Sequence, residues 1–331
     1  MHFAPTEEQA DFAQATRSVL VRMSDSSAVR AAWQTGRPPA SLWGALADLG
    51  LLTLLAPEPL GGGSELELIA ALEEVGRAAA PGPIIETAAV AVPLLAVFAP
   101  DLLADDDLLA GGITATTSEV MPHLGAGAGL LLETDRIGLV DLGGVQPLEA
   151  LDASRMVGRL GEDRRQAAQT IAAGPEAGRQ VALARDRAAA ATASVLLGLS
   201  ARAVEMTVEY TSARHQFGVP VGSFQAVKHH VASAHVAIEM ARPLTEAASW
   251  ALSAGAAEAS RLCSMAKVTA NQAARRTAKA ALQCHGAIGY TMEADLHLYL
   301  MRIWSLLNAW GTTEDHLSRV SASLSLPALA S

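Results

Sequence analysis

The sequence predicts a mostly α-helical protein with a small β domain in its middle. An N-terminal helical domain is expected over 1–108, a β domain over 109–182 and a C-terminal four-helix bundle over 183–331. Three observations carry this. Half of the 331 residues are apolar but only 4% are aromatic, so the core must be built from Ala, Leu and Val, and Ala loses no side-chain entropy on entering a helix. Thr6-Glu7-Glu8-Gln9 and Ser64-Glu65-Leu66-Glu67 have the form of capping boxes, each just before a helical pattern. Between about 109 and 182 the pattern changes to short β-prone pieces, GGITATT, GLLLETD, RIGLVDL and ASRMVGRL, punctuated by Gly and Asp.

In chain order, the first helix runs to about Met23. The second, SLWGALADLG, ends at Gly50, as helices often do. PEPLGGG (57–63) is a turn, and LELIAALEEVGRA follows the second capping box. The most apolar run, AAVAVPLLAVF (88–98), is interrupted by Pro93 and is too short to cross a bilayer. The middle region is expected to hold four to six strands. Four long helices follow, at roughly 183–215, 223–253, 256–285 and 293–310. The breaks between them are FGVPVGS (217–223), a turn near Gly255, and GAIG (286–289). Such short connections predict an antiparallel bundle, with Pro243 kinking its second helix.

The net charge of −10 argues against nucleic acid or an anionic membrane as the main partner. Cys263 and Cys284 make no disulfide framework and fit a reducing cytosol. The acidic start, MHFAPTEEQADF, does not read as a signal peptide. A cytoplasmic protein is expected.

Several motifs fail on physical grounds. HLGAGAGLLL is not G-x-G-x-x-G and does not link a strand to a helix. PLGGGS lacks the Lys-Ser/Thr of a phosphate loop. Glu293, Asp295 and His297 alternate, and residues two apart on a helix do not share a face, so the three do not converge. His229-His230 has no ligand geometry by itself.

YTSARHQFGVPVGSFQAVKHHVA (210–232) is different. One turn presents Arg214, Gln216, Phe217, Gly218, Pro220, Phe224 and Gln225: a guanidinium, two amides and two rings. Arginine forks onto phosphate oxygens and aromatic rings cover heterocycles, so the set suits a nucleotide diphosphate. In LQCHGAIGYTMEADLHLYL (282–300), Gln283 and His285 precede two glycines that let backbone approach a ligand. Each segment alone also reads as a plain helix-to-helix turn.

In this order and on this bundle, the two segments resemble the acyl-CoA dehydrogenase family. The family pattern R-x-Q-F-G-x-P…F-Q stands at Arg214 to Gln225. Its Q-x-x-G-G-x-G-Y pattern stands at Gln283, Gly286, Ala287, Gly289 and Tyr290. LADLGLLTLLAPEPLGG and LEEVGRAAAP look like the family's first helical domain, so the likeness runs almost end to end. It implies an acyl-CoA dehydrogenase-like fold and a tetramer with FAD across a subunit interface. Arg214, Gln216, Phe217, Phe224, Gln225, Gln283, Gly286 and Ala287 would contact the ADP half of FAD held mainly by a partner. The implied reaction takes a proton from Cα and a hydride from Cβ of an acyl-CoA thioester. Electron-transfer flavoprotein is the implied acceptor.

The family's Glu base precedes a Gly-Thr pair, and here that position is Trp310, before Gly311-Thr312. The alternative base position falls at Ala188, and the nearest acid is Asp186. Residues 115–125 do not match the family's flavin-contacting segment. The resemblance thus implies the short, base-lacking subunit of a heteromeric (α2β2) acyl-CoA dehydrogenase, as in steroid side-chain degradation. Trp310 would fill the former active site with apolar bulk. Three readings compete with it. One is a self-sufficient enzyme using Asp186, Glu205 or Glu209. The others are a flavin-dependent monooxygenase of the same fold and a scaffold subunit.

Overall fold

The computed structural model describes residues 6–103 and 110–325, and the domain boundary expected at 108/109 lies outside the described residues. Helix α1, Glu7–Met23, is closed at its start by the Thr6 and Gln9 capping box. A short helix absent from the sequence reading follows: α2, Ser26–Thr35, capped by the Asp25 carboxylate and ended by Gly36 at φ +67°. Then come α3, Ala40–Asp48, and α4, Glu65–Arg77, the latter opened by the Ser64 and Glu67 box. The apolar run beyond forms a wholly buried π-helical stretch, Glu86–Ala91, continued by α5, Val92–Phe98.

Among the described residues, six strands form the middle region. Ile113–Thr116 (β1), Ala128–Leu132 (β3), Arg136–Val140 (β4) and Gln169–Ala173 (β6) make one sheet in that order. β1 and β3 run parallel and the other pairs antiparallel. Val120–Met121 (β2) and Gly158–Arg159 (β5) pair separately. This falls within the four to six strands expected.

The long helix expected from 183 begins earlier: α6 is Pro175–Ala213, with Pro175 in its first turn behind Gly174. It is long and apolar enough to cross a bilayer, but 72% of its most apolar window is buried inside the protein. It is instead the central core helix. Gly76 of α4 and Gly198 of α6 let the two backbones meet, since a Cβ on Gly198 would stand 1.9 Å from the Glu73 carbonyl oxygen. Helix α7, Gln225–Ser253, runs unbroken through Pro243, and α8 is Ala259–His285. The last predicted helix, 293–310, is the shorter α9, Leu296–Leu306, and a further helix outside the expectation, α10, Thr313–Ser323, follows the turn at Trp310 and Gly311. One core of small aliphatic side chains joins the N-terminal helices, β1, β3 and the bundle.

Candidate functional site

The turn after α9 forms one wall of a cleft of about 440 Å³. Residues 115–118, Val120 and Pro122 of the β region, with Glu86, Arg155 and Arg185, form other parts of its wall. Trp310 is half-buried in this wall, with a left-handed backbone at φ +59°, and Gly311 follows at φ +115°. The indole lines the cleft and does not fill it, which corrects the expectation of a plugged site. The hydroxyls of Thr116 and Ser118 also face this cleft, but both donate to the Val120 carbonyl of their own turn, at 2.8 and 3.2 Å.

Two carboxylates line the cleft among the described residues, and both are engaged. Asp315 accepts from the Thr312 N–H at 2.9 Å and the Thr312 hydroxyl at 3.0 Å, closing a capping box on α10. Those bonds hold its carboxyl below the usual range. Glu86 is 2% exposed; its carboxylate lies 3.3 Å from the Arg155 guanidinium and 3.8 Å from His123 Nε2. Arg155 Nε also faces His123 Nε2, and burial beside Arg155 and Arg302 pushes the imidazole well below its ordinary pKa. His123 is thus neutral and accepts at Nε2. Arg302 extends the network by pairing with Asp152 and donating to Ser154 Oγ at 2.6 Å and the Ala80 carbonyl at 2.9 Å. It locks the first helical region, the β region and the bundle together. Sequence reasoning missed Glu86, although a lone acid inside the apolar run IIETAAVAV was a readable signal.

The acids weighed as alternative bases lie elsewhere. Asp186 pairs with Arg319. Glu205 pairs with Arg77 and Arg202, and Glu209 with Arg202 at 2.9 Å, in a groove between α6 and α7. Ala188 is fully buried. Asp295 is tied to Arg30 at 2.7 Å and Ser26 at 2.6 Å.

The second candidate region lies at the far end of α6. Arg214 caps that helix, and His215–Gln216 pairs with Val219–Pro220 in a tight hairpin. At its tip Phe217 has φ +54° and is 91% exposed, and Gly218 follows at φ +81°. Phe224, just before α7, meets Phe217 edge to face with centroids 6.2 Å apart. Tyr210 stacks on His285 at 4.5 Å, which sets the turn from Gln283 to Ala287 beside the hairpin. Gly286 there has φ +63° with open space at its Cβ position. Arg214, Gln216, Phe217, Phe224, Gln225, Gln283, Gly286 and Ala287 are all exposed. Among the described residues, none of the polar side chains in this set bonds to the rest of the chain. A guanidinium, three amides and two rings thus face outward from one end of the bundle, and their chemistry fits the diphosphate and adenine of a dinucleotide.

The family models "Acyl-CoA dehydrogenase, N-terminal domain" and "Acyl-CoA dehydrogenase, C-terminal domain" match residues 6–102 and 176–325. The chain belongs to the acyl-CoA dehydrogenase family. It is 32% identical to the acyl-CoA dehydrogenase IpdE2 of Mycobacterium tuberculosis, over 90% of this chain and 91% of that protein. A solved variant of the Tcur3481–Tcur3483 steroid ACAD shares its fold at TM-score 0.83 and 26% identity, covering 96% of this chain and 98% of that one. PigA, solved with FAD and proline, shares the fold at TM-score 0.83 and 17% identity, covering 98% of this chain and 100% of that one.

Proposed function

We propose that this chain is the base-lacking subunit of a heteromeric, FAD-dependent acyl-CoA dehydrogenase that desaturates a steroid-derived acyl-CoA thioester. One observation carries the reading. The two carboxylates lining the chain's own cleft, Glu86 and Asp315, are held by internal partners, while the two exposed turns keep their polar groups free. Proton abstraction from Cα needs an acceptor within hydrogen-bond reach of that carbon. Trp310 cannot serve, because an indole N–H donates and does not accept.

In this reading Arg214 forks onto the diphosphate of FAD held by a partner subunit. Phe217 and Phe224 cover its adenine, and the amides of Gln216, Gln225 and Gln283 bond its polar edges. Gly286 and Ala287 present backbone at close range. FAD, when bound, would supply the hydride acceptor for Cβ, the partner would contribute the carboxylate for the Cα proton, and an electron-transfer flavoprotein would be the external electron acceptor. The paired name and steroid label of the Tcur3481–Tcur3483 enzyme support both the heteromer and the acyl group, and the FAD of PigA supports the cofactor. The self-sufficient alternative is disfavoured, since Asp186, Glu205 and Glu209 are ion-paired away from the cleft.

The test is co-expression with a base-bearing relative. The complex should retain FAD and oxidise acyl-CoA, and Arg214→Ala should strip its FAD. A complex that keeps its FAD with Arg214→Ala would reduce this chain to a scaffold.

A further inference from the structure

Lys267 lies in α8 and is 0% exposed. Its Nζ donates to Asn271 Oδ1 at 2.9 Å, the Leu307 carbonyl at 2.9 Å and the Leu306 carbonyl at 3.3 Å. Three N–H groups meet three acceptors, which satisfies an ammonium completely. The two carbonyls belong to the end of α9, where backbone acceptors lack helical partners. Asn271, one turn along α8, donates to the Leu307 carbonyl at 2.9 Å and to Thr313 Oγ1 at 3.0 Å.

His316 of α10 reaches the same turn from another side. It is 1% exposed, with Nε2 lying 3.1 Å from the Trp310 carbonyl and Nδ1 3.2 Å from Ser264 Oγ. In the neutral ring, Nε2–H donates to the carbonyl and Nδ1 accepts from the serine. The carbonyls of Leu306, Leu307 and Trp310 are therefore held from behind by groups that do not line the cleft. The held turn is strained, because Trp310 is an L-residue in the left-handed region at φ +59°, where its Cβ crowds the following carbonyl. Such a conformation persists only where its surroundings over-determine it. Every one of these contacts to the turn's carbonyls ends on a backbone atom, so none depends on the indole.

We infer that Lys267, Asn271 and His316 are positioning residues that fix the backbone from Leu306 to Thr312, and with it the cleft wall, whichever side chain stands at 310. The turn that carries Trp310 is thus a rigid mount, not a flexible loop propped open by a bulky ring. This holds whether or not a partner subunit supplies the base.

The test uses the full chain labelled with 5-fluorotryptophan. It contains five tryptophans, whose ¹⁹F resonances are assigned by single Phe replacements. Lys267→Met and His316→Leu should each shift or broaden the Trp310 resonance while those of Trp43 and Trp250 stay in place. In parallel, Trp310→Phe should leave amide-exchange protection across 312–316 unchanged, and His316→Leu should lower it. If Lys267→Met does not fold, His316→Leu decides, since it removes only the contacts of one ring. An unmoved Trp310 resonance in folded His316→Leu would overturn the inference. So would loss of protection in Trp310→Phe equal to that in His316→Leu.

Discussion

Phe217 shows what a single residue can reveal. A large apolar ring at 91% exposure and φ +54° has one ring contact within its own chain, edge to face with Phe224. Strain kept for so small an internal return points outward, to a ligand. Phe217→Gly should therefore raise the stability of the isolated chain by roughly 0.5–1 kcal/mol, read by thermal melts, while lowering the FAD content of the complex. Arg302 makes the opposite case, an ion pair turned wholly inward. Asp152→Ala would leave its guanidinium buried beside a vacated partner and should cost about 3–5 kcal/mol in denaturant titration. His316 has a pH signature. Burial, with Lys267 and Arg319 nearby, pulls its pKa from 6.5 to about 4. The unfolded chain takes the proton first, so the neutral ring's contribution is whole above pH 6.5 and is lost as pH falls towards 4. Against His316→Leu, the wild type should lose up to about 1.4 kcal/mol more per pH unit across that window. The sequence marked Arg214 and Gln283 because their chemistry is local. It could not mark Lys267 or Arg302, whose partners lie 40 and 150 positions away.

Among elements, helix starts were the most readable. Both N-terminal capping boxes occur where their side-chain spacing placed them, because a cap is a bargain struck within four residues. Helix α2 was missed although Asp25 and Gly36 bracket it and Val29 and Ala32 give it a buried face, since it is only ten residues long and that face is made of small side chains. The true start of α6 was also written in the chain, as Gly174-Pro175-Glu176. The π-helical stretch at 86–91 left no local signal. The crossing of α4 and α6 is the element contact with least room to give. Gly198→Ala would drive its Cβ into the Glu73 carbonyl. It should destabilise the fold by about 1–3 kcal/mol, lowering Tm by several degrees.

For the whole molecule, the helical–β–helical order was legible, because composition and periodicity change along the chain in that order, although the long bundle helix begins at Pro175 and not at 183. The cleft was not, because Glu86, residues 115–118, Arg155 and Trp310 meet only after three regions pack together. On the proposed reading that meeting decides function: among the described residues the cleft offers no carboxylate without an internal partner, while the bundle's outer end presents polar side chains that bond to nothing else in the chain. The most direct test is the flavin content of the purified chain alone and after co-expression with a base-bearing relative, read from visible absorbance against protein mass. The account predicts almost no FAD and no acyl-CoA oxidation for the lone chain, and about one FAD per heterodimer with activity restored in the complex. A lone chain that purifies with one FAD per subunit and oxidises acyl-CoA at the rate of the complex would contradict it.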